Sequence, residues 1–340
     1  MKVDVSLPGD GIDLAEAAHR HESCGVRRLW LGETSHDVFL QSLCALQATS
    51  RIEVGTSIAV AFARSPMNVA YLANDLQLCS GGRFTLGLGT QVRAHIQRRF
   101  GMPWSSPADR MEEYIRAVRA VWSAWRTGER LDFRGDFYSH TLMTPMFTPA
   151  VPASQPPVFL AAVGPRMTEV AGRVADGLIT HAFTTERYLR EVTATRLARA
   201  AAAAGRERSS IELSASVFVV AGRNEEEIRD LREATRSRLG FYGSTPAYRE
   251  VMALHGWEAA ADELTRLSRA NAPDRWAKMG ALFGDTMLDT FAACGETPAD
   301  VARGIRQRFG GVADRVTLCA ASSGARWVLD MVAEALRSWN

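Results

Sequence analysis

Short apolar runs alternate with longer amphipathic segments along almost the whole chain. Eight runs are mostly apolar, and they span residues 3–7, 28–32, 52–60, 84–89, 158–163, 177–182, 211–220 and 315–320. Between these runs apolar residues recur with helical spacing, as in Val69, Leu72, Ala73 and Leu76, at i, i+3, i+4 and i+7. Each such segment gives a helix one apolar face. The pattern therefore predicts eight units, each of one strand followed by helix.

The predicted strands are continuous apolar runs, which is typical of strands buried on both faces, and their alternation with helices indicates a parallel sheet. Eight such units favour a (β/α)8 barrel, the TIM barrel, over a doubly wound open sheet, which is the alternative arrangement. We expect residues 1–340 to form a single domain, because no linker, repeat or low-complexity block divides the chain.

Two stretches interrupt the alternation. Residues 126–157, after strand four, are rich in proline, glycine and aromatic residues and predict an irregular insertion with a small hairpin. Residues 240–310, between strands seven and eight, are too long for one crossover helix and predict a helical insertion. An insertion that follows a barrel strand lies over the C-terminal face, where active sites are assembled. It forms either a wall for the substrate or a layer for packing and dimerisation.

The charge balance indicates what kind of partner to expect. The chain carries 40 lysine and arginine residues against 38 aspartate and glutamate residues, a formal net charge of +2. A chain so nearly neutral lacks the concentrated positive field that nucleic acid or an anionic membrane surface attracts. We therefore expect a small-molecule substrate, and neither nucleic acid nor a membrane as the main partner.

Lysine and cysteine usage narrows the chemistry further. Lys2 and Lys278 are the two lysines in the sequence, and neither fits a P-loop or a Schiff-base site. The five cysteines contain no Cys-x-x-Cys pair, so neither a disulfide framework nor a metal site is indicated. Lys2 and Asp4 place charge where a signal peptide would become apolar, and no apolar run is long enough to span a membrane. We expect a cytoplasmic protein.

Polar residues follow the second predicted strand, and a barrel enzyme carries its chemistry at such strand ends. Glu33, Thr34, Ser35, His36 and Asp37 bring a carboxylate, two hydroxyls and an imidazole into one strand-to-helix turn. His36 is the side chain best suited to exchange a proton near neutral pH. In the alternative interpretation, Ser35 or Asp37 caps the next helix and His36 is a surface residue.

The ends of strands four, five and six carry weaker signals. Gly87 and Gly89 allow a backbone to approach a flat ligand, although the glycine pattern of a dinucleotide-binding loop is incomplete. Gly164 and Arg166 flank a proline that begins a helix, where free amides and a guanidinium suit a phosphate. His181, at the end of strand six, could lie beside that phosphate. The alternative for this region is a tight turn without a ligand.

Taken together, these segments resemble the luciferase-like monooxygenase family, and in particular its branch that uses coenzyme F420, a deazaflavin. The resemblance rests on the order and spacing of residues 33–37, 80–89, 90–95, 164–165, 175–177 and 314–316. It implies a barrel whose C-terminal mouth holds F420 or, in the alternative, FMN. It also implies a homodimer formed through the helices that flank strands two to four.

The resemblance further assigns expected roles. It places a non-prolyl cis peptide near Ser57-Ile58, behind the cofactor ring, and the tail phosphate near the turn after strand five. The expected cofactor contacts are Ser57, Ile58, Thr90, Gln91, His95, Val163, Gly164, Arg166 and His181. Among the expected catalytic residues, His36 is the first candidate acid or base, Glu33 orients it or the cofactor, and His95 is the second candidate.

The activity implied is hydride transfer between the deazaflavin and a small organic substrate. Thr34 stands where related sugar-phosphate dehydrogenases often have histidine, which argues against a sugar-phosphate substrate. Two alternatives stay open on the same fold. One is a monooxygenase that uses reduced FMN, and the other is a flavin-binding barrel without catalytic activity.

Overall fold

Eight parallel strands close into a barrel in the computed structural model, which describes residues 1–7, 14–270, 272–321 and 326–337. Each strand pairs with the next, and the eighth pairs with the first. The barrel strands are β1 Lys2–Leu7, β2 Arg28–Leu31, β3 Glu53–Thr56, β4 Phe84–Gly89, β5 Val158–Ala162, β6 Gly177–Thr180, β7 Glu212–Val220 and β8 Arg315–Cys319. The prediction of a (β/α)8 TIM barrel is confirmed.

Helices surround the barrel, and polar side chains begin several of them. Asp37 accepts hydrogen bonds from the Phe39 and Leu40 amides at the start of the second helix, and Ser65 caps the third. In chain order the helices are Leu14–Ser23, Val38–Gln47, Pro66–Cys79, Arg93–Arg98, Pro107–Thr127, Pro165–Val174, Glu186–Tyr188, Ala194–Ala203, Glu225–Gly243, Arg249–Ala253, Glu258–Arg269, Arg275–Ala281, Asp285–Phe291, Pro298–Phe309 and Arg326–Arg337. None of these described helices is both long and apolar enough to cross a bilayer.

The segment after β4 contains the small hairpin expected there. Phe133–Arg134 pairs antiparallel with Ser139–His140. Glu113, on the helix before it, holds the turn by accepting backbone hydrogen bonds from Asp136 at 2.8 Å and Tyr138 at 2.6 Å. The hairpin is thus fastened to the outer helical layer by this carboxylate and by the ring of Tyr138, which packs on Tyr114 at 5.4 Å.

The segment between β7 and β8 is mostly helical and packs on the C-terminal end of β6. Phe183, which follows β6, contacts the ring of Phe291 at a centroid distance of 4.4 Å. The Thr185 hydroxyl lies 2.8 Å from Nε2 of His255 on the inserted segment. A short strand, Ala292–Cys294, then pairs with β7, and helix Pro298–Phe309 leads to β8.

A network of charged side chains fills the opposite, N-terminal end of the barrel. Arg315, fully buried, donates to both oxygens of Asp4 at 2.7 and 2.8 Å. The Trp30 indole donates to the same carboxylate at 3.0 Å. The network extends to four cations and three anions, which are Lys2, Arg27, Arg28, Arg315, Asp4, Glu53 and Glu212. Because each buried charge of the network lies beside an opposite charge, ionic groups can fill this end of the barrel.

Several of the segments that carry the family resemblance serve the fold. Arg83 donates to the carbonyls of Leu46, Thr49 and Ile52 at 2.9 to 3.1 Å. Asp176 accepts the Val158 amide at 2.8 Å, and Asp314 accepts the Leu213 amide at 2.8 Å. These contacts fasten the starts of neighbouring strands, so these residues explain the architecture and not the chemistry.

Candidate active site

The ends of β2 and β3 are joined by a two-pronged ion pair. Arg64 donates from Nη2 to Oε1 of Glu33 at 2.6 Å and from Nη1 to Oε2 at 2.9 Å. The Val60 amide also donates to Glu33 Oε2, at 2.8 Å. The Glu33 side chain is 6% exposed and that of Arg64 is 16% exposed. The Glu33 carboxylate is therefore already occupied by Arg64 and the Val60 amide, partners from the neighbouring strand end.

Asp37 completes this cluster. Its Oδ2 accepts from Arg64 Nη2 at 2.6 Å, while its Oδ1 caps the following helix. Burial alone would raise the pKa of Asp37, but the hydrogen bonds from Arg64 and from the helix amides outweigh that effect and hold the pKa below its ordinary value. The cluster of Glu33, Asp37 and Arg64 thus carries one net negative charge at the edge of the barrel mouth.

His36 lies on this edge with its side chain exposed. Next to it the Thr34 carbonyl accepts a hydrogen bond from Arg99 at 2.6 Å, which ties the turn after β2 to the segment after β4. His36 is therefore exposed to solvent on a turn that this hydrogen bond holds in place. That position suits a group that exchanges protons, and its catalytic role stays a prediction.

The cis peptide expected between Ser57 and Ile58 is present. Both residues are half-buried at the end of β3. The glycines of β4 make room for this segment. A Cβ on Gly87 would lie 1.8 Å from the Thr56 carbonyl oxygen, and a Cβ on Gly89 would lie 2.8 Å from the Ile58 side chain. These glycines are therefore required by the close approach of β3, whether or not a flat ligand is bound.

Thr90, Gln91 and His95 follow β4. Thr90 and Gln91 are half-buried, and Gln91 has a φ of 59°, in the left-handed region that a non-glycine residue seldom adopts. Its side-chain oxygen accepts the Val92 amide at 3.0 Å, which stabilises this turn. His95 lies in helix Arg93–Arg98 and is exposed. Its position is compatible with either a cofactor contact or a solvated helix face.

The turn after β5 presents a helix N-terminus. Gly164 is the N-cap of helix Pro165–Val174, and a Cβ built on it would have no atom within 4 Å. Val163 and Gly164 are half-buried, whereas the Arg166 side chain is 68% exposed and bonded to Asp109 at 2.9 and 3.0 Å. The open space at this turn therefore faces backbone amides, while the Arg166 guanidinium is engaged by Asp109.

His181, at the end of β6, is held in one tautomer. Its Nδ1 accepts the Phe183 amide at 2.9 Å, so the proton of the neutral ring is on Nε2. Burial lowers the pKa of His181 to about 4. The imidazole is thus neutral at physiological pH and acts as a hydrogen-bond donor through Nε2, not as a cation.

Two tyrosines from the inserted segment form a wall beside this imidazole. The ring of Tyr242 meets that of His181 edge-on at 4.3 Å, and the ring of Tyr248 lies 5.0 Å away. Burial raises the pKa of both phenols, so both hydroxyls stay protonated. The sequence placed an insertion over the mouth but did not single out these two residues, because nothing in their local pattern shows which barrel strand they face.

The predicted residues therefore form two groups at the C-terminal mouth. One group, at β2 to β4, contains Glu33, His36 and the segment Ser57-Ile58, together with Arg64, which sequence reasoning had not selected. The other, at β5 and β6, contains the helix N-terminus at Gly164 and the neutral His181. No group of three potential metal ligands occurs among the described residues. The C-terminal end of the barrel therefore carries an acidic edge at β2 and β3 and an aromatic wall beside β6.

The chain belongs to the luciferase-like monooxygenase family, whose model matches residues 5–315. An uncharacterised protein of Mycobacterium tuberculosis is 49% identical over 318 residues, which cover 93% of this chain and 92% of that protein. An F420-dependent hydroxymycolic acid dehydrogenase from the same organism is 32% identical over 234 residues, covering 64% of this chain and 61% of that protein.

Solved structures show the same fold. The coenzyme F420 dependent tetrahydromethanopterin reductase of Methanopyrus kandleri superposes with a TM-score of 0.81 at 20% identity, and the match covers 99% of each chain. The oxygenating constituent of 3,6-diketocamphane monooxygenase from Pseudomonas putida, in complex with FMN, gives a TM-score of 0.67 at 15% identity and covers 99% of this chain and 98% of that chain. The relatives with a named activity are oxidoreductases, and their names include both F420 and FMN.

Proposed function

We propose that this protein is an F420-dependent oxidoreductase that transfers a hydride between the deazaflavin and a small organic substrate. The observation that carries the proposal is the neutral, tautomerically fixed His181 beside an open helix N-terminus, at the mouth of a barrel whose relatives include an F420-dependent dehydrogenase. A neutral donor and free amides suit an uncharged ring system with an anionic tail.

The turn after β5 fits the tail phosphate of such a cofactor. The open space at Gly164 leaves the first amides of helix Pro165–Val174 accessible to an anion. The exposed Arg166 is bonded to Asp109, so we assign the phosphate to the backbone amides, with Arg166 adding positive potential nearby. Ser57, Ile58, Thr90 and the other expected contacts remain proposals for the ring.

A bound deazaflavin would supply a hydride carrier that reacts poorly with oxygen. The chain's own residues supply the rest. His181 donates a hydrogen bond from Nε2 to an oxygen at the mouth, which stabilises negative charge that develops there. His36, exposed on the turn after β2, takes or delivers the accompanying proton at its imidazole. Arg64 fixes Glu33 and Asp37, which keeps that turn in place.

Anaerobic and aerobic assays with each cofactor test the choice between F420 and FMN. Purified protein is mixed with reduced F420 or reduced FMN and a panel of ketones and alcohols, and the cofactor spectrum is followed. We expect tight binding of F420 and turnover that does not depend on oxygen. Turnover with FMN alone that strictly requires oxygen would establish the monooxygenase instead. Binding of either cofactor without any turnover would support a non-catalytic barrel.

A pair of substitutions tests the phosphate position. Gly164→Asp places a carboxylate at the helix N-cap, where its Cβ meets no other atom, so the fold should tolerate it. We expect it to weaken F420 binding at least tenfold by repelling the tail phosphate, while Gly164→Asn, which caps without charge, weakens it much less. Gly284→Asp is the matched control, because Gly284 is also an N-cap with no atom near its Cβ. Equal affinities for Gly164→Asp and Gly164→Asn would place the phosphate elsewhere.

We also propose that the protein is a homodimer. Helices Val38–Gln47 and Pro66–Cys79 flank β2 to β4 and carry exposed apolar side chains, with Leu40 67% and Leu72 37% exposed. An interface formed by these two helices would cover both side chains. Sedimentation of Leu40→Glu should then give a monomer, whereas Met331→Glu, which changes a methionine 43% exposed on the C-terminal helix, should leave the dimer intact. A monomeric parent protein would refute the proposal.

A further inference from the structure

Aromatic rings continue outward from His181 along the inserted segment to the protein surface. Tyr242 contacts His181 at a centroid distance of 4.3 Å, and Phe241 contacts Tyr242 at 5.3 Å. Trp276 then contacts Phe241 at 5.7 Å. We call Tyr242, Phe241 and Trp276 the aromatic track. It forms one continuous line of ring contacts between the barrel mouth and solvent.

The direction of the track follows from helix geometry. Phe241 and Tyr242 are consecutive residues near the end of helix Glu225–Gly243, and consecutive side chains on a helix diverge by about 100°. Tyr242 therefore faces the barrel, where it also stacks with Phe218 at 6.5 Å, while Phe241 faces outward and is 49% exposed. Trp276 is 43% exposed. Two large rings thus stand side by side and half exposed, with the Arg275 guanidinium over the Trp276 ring at 4.9 Å.

The track is held in place by close backbone packing. Gly240 brings helix Glu225–Gly243 against helix Arg275–Ala281, since a Cβ on Gly240 would lie 2.8 Å from the Met279 carbonyl carbon. This contact fixes Phe241 beside Trp276. On the inner side, Tyr248 packs on Phe183 at 5.1 Å. The rings are therefore preorganised, and a ligand that covers them loses little of its binding free energy in ordering the protein.

We propose that the aromatic track binds the apolar tail of the substrate. The substrate class is then a molecule whose reacting carbon, held near His181, carries a long alkyl or aryl chain. The position of the reacting carbon rests on the proposed hydride-transfer function. The binding of the tail does not depend on that function. An apolar chain that covers exposed, adjacent aromatic rings removes apolar surface from water, and this lowers the free energy of the complex.

The test measures how binding depends on chain length. Methyl ketones from 2-butanone to 2-undecanone are titrated into the protein, with and without F420, and tryptophan fluorescence and calorimetry report the dissociation constant. We expect the affinity to rise for each added CH₂ by about twofold if the group is partly buried and by about fourfold if it is completely buried. Phe241→Ser and Trp276→Ser should flatten this dependence to less than about 1.5-fold per CH₂ while leaving 2-butanone binding unchanged.

The matched control is Phe147→Ser, which removes another exposed ring, 59% exposed, in the segment after β4. It should keep the full dependence on chain length. The inference is overturned if Phe241→Ser and Trp276→Ser retain the parent dependence, or if they change the sedimentation of the protein and not its ketone binding. Reduction of short ketones with no effect of chain length would leave the proposed function standing and refute the track. A steep dependence of ketone affinity on chain length, without turnover of F420, would support the track and refute the proposed function.

Discussion

Arg64 donates hydrogen bonds from both terminal nitrogens to the Glu33 carboxylate, at 2.6 and 2.9 Å, across the ends of two adjacent strands. A pair this well buried contributes through charge-assisted hydrogen bonds, and neutralising Glu33 weakens both of them while Arg64 keeps its ion pair with Asp37. We expect Glu33→Gln to lower the free energy of unfolding by about 1.5–3 kcal/mol in urea titrations. A double-mutant cycle with Arg64→Met should show coupling, and additive effects would mean that the pair contributes little.

The proton-transfer role of His36 can be separated from folding. Both His36 and His95 are exposed, so His36→Ala and His95→Ala should change stability by less than about 0.5 kcal/mol. If His36 is the acid or base, its alanine variant should lose turnover on the order of 10²- to 10⁴-fold with unchanged cofactor affinity. His95→Ala should mainly raise the F420 dissociation constant. Full turnover in both variants would refute these assignments.

His181 should leave a signature in the pH dependence of stability. Its pKa is about 4 in the folded protein against an ordinary value of 6.5. Between these values the unfolded chain binds more protons at this residue, so stability rises with pH in this window and falls as pH drops toward 4. The contribution is up to about 1.4 kcal/mol per pH unit.

His181→Asn is the variant that isolates this effect. Its side-chain oxygen can still accept the Phe183 amide, but it does not titrate. Unfolding midpoints in urea at about pH 7, pH 6 and pH 5 should therefore fall less steeply for His181→Asn than for the parent protein. Parallel pH profiles would show that the imidazole is not held neutral by burial.

The charge network at the N-terminal end of the barrel should dominate global stability. Arg315→Met leaves the buried Asp4 carboxylate without its main partner and should cost about 3–5 kcal/mol. Arg134→Met is the control, because Arg134 is 66% exposed and its pair with Asp132 should contribute no more than about 1 kcal/mol. Equal losses from the two variants would contradict a specific contribution from burial.

The barrel could be predicted because its signal is local. The run at residues 211–220 matches β7 at Glu212–Val220, and the run at 28–32 matches β2 at Arg28–Leu31. A strand buried on both faces is mostly apolar, apart from paired charges such as Arg28 near its start, so each run appears in the sequence regardless of its neighbours. The cis peptide at Ser57-Ile58 was expected from the family resemblance and could not have been derived from composition.

The partners of the site residues were harder to predict, because they come from distant segments. Arg64 is 31 residues from Glu33, and Asp109 is 57 residues from Arg166. Both contacts depend on how loops at different strand ends are oriented, which short-range periodicity does not specify. Tyr242 belongs to a helix with one buried and one exposed side, and the two sides can be told apart only when the neighbouring barrel strand is known.

The ionic filling of the barrel's N-terminal end has a consequence for the order of events during turnover. Because Asp4 and Arg315 fill that end, a molecule cannot pass along the barrel axis. Any molecule that reaches the candidate site must enter and leave at the C-terminal end. Under the proposed function, substrate, product and cofactor would all use that side. If the cofactor lies deeper than the substrate, it would have to bind first and leave last, and the order of binding would follow from the closed end of the barrel.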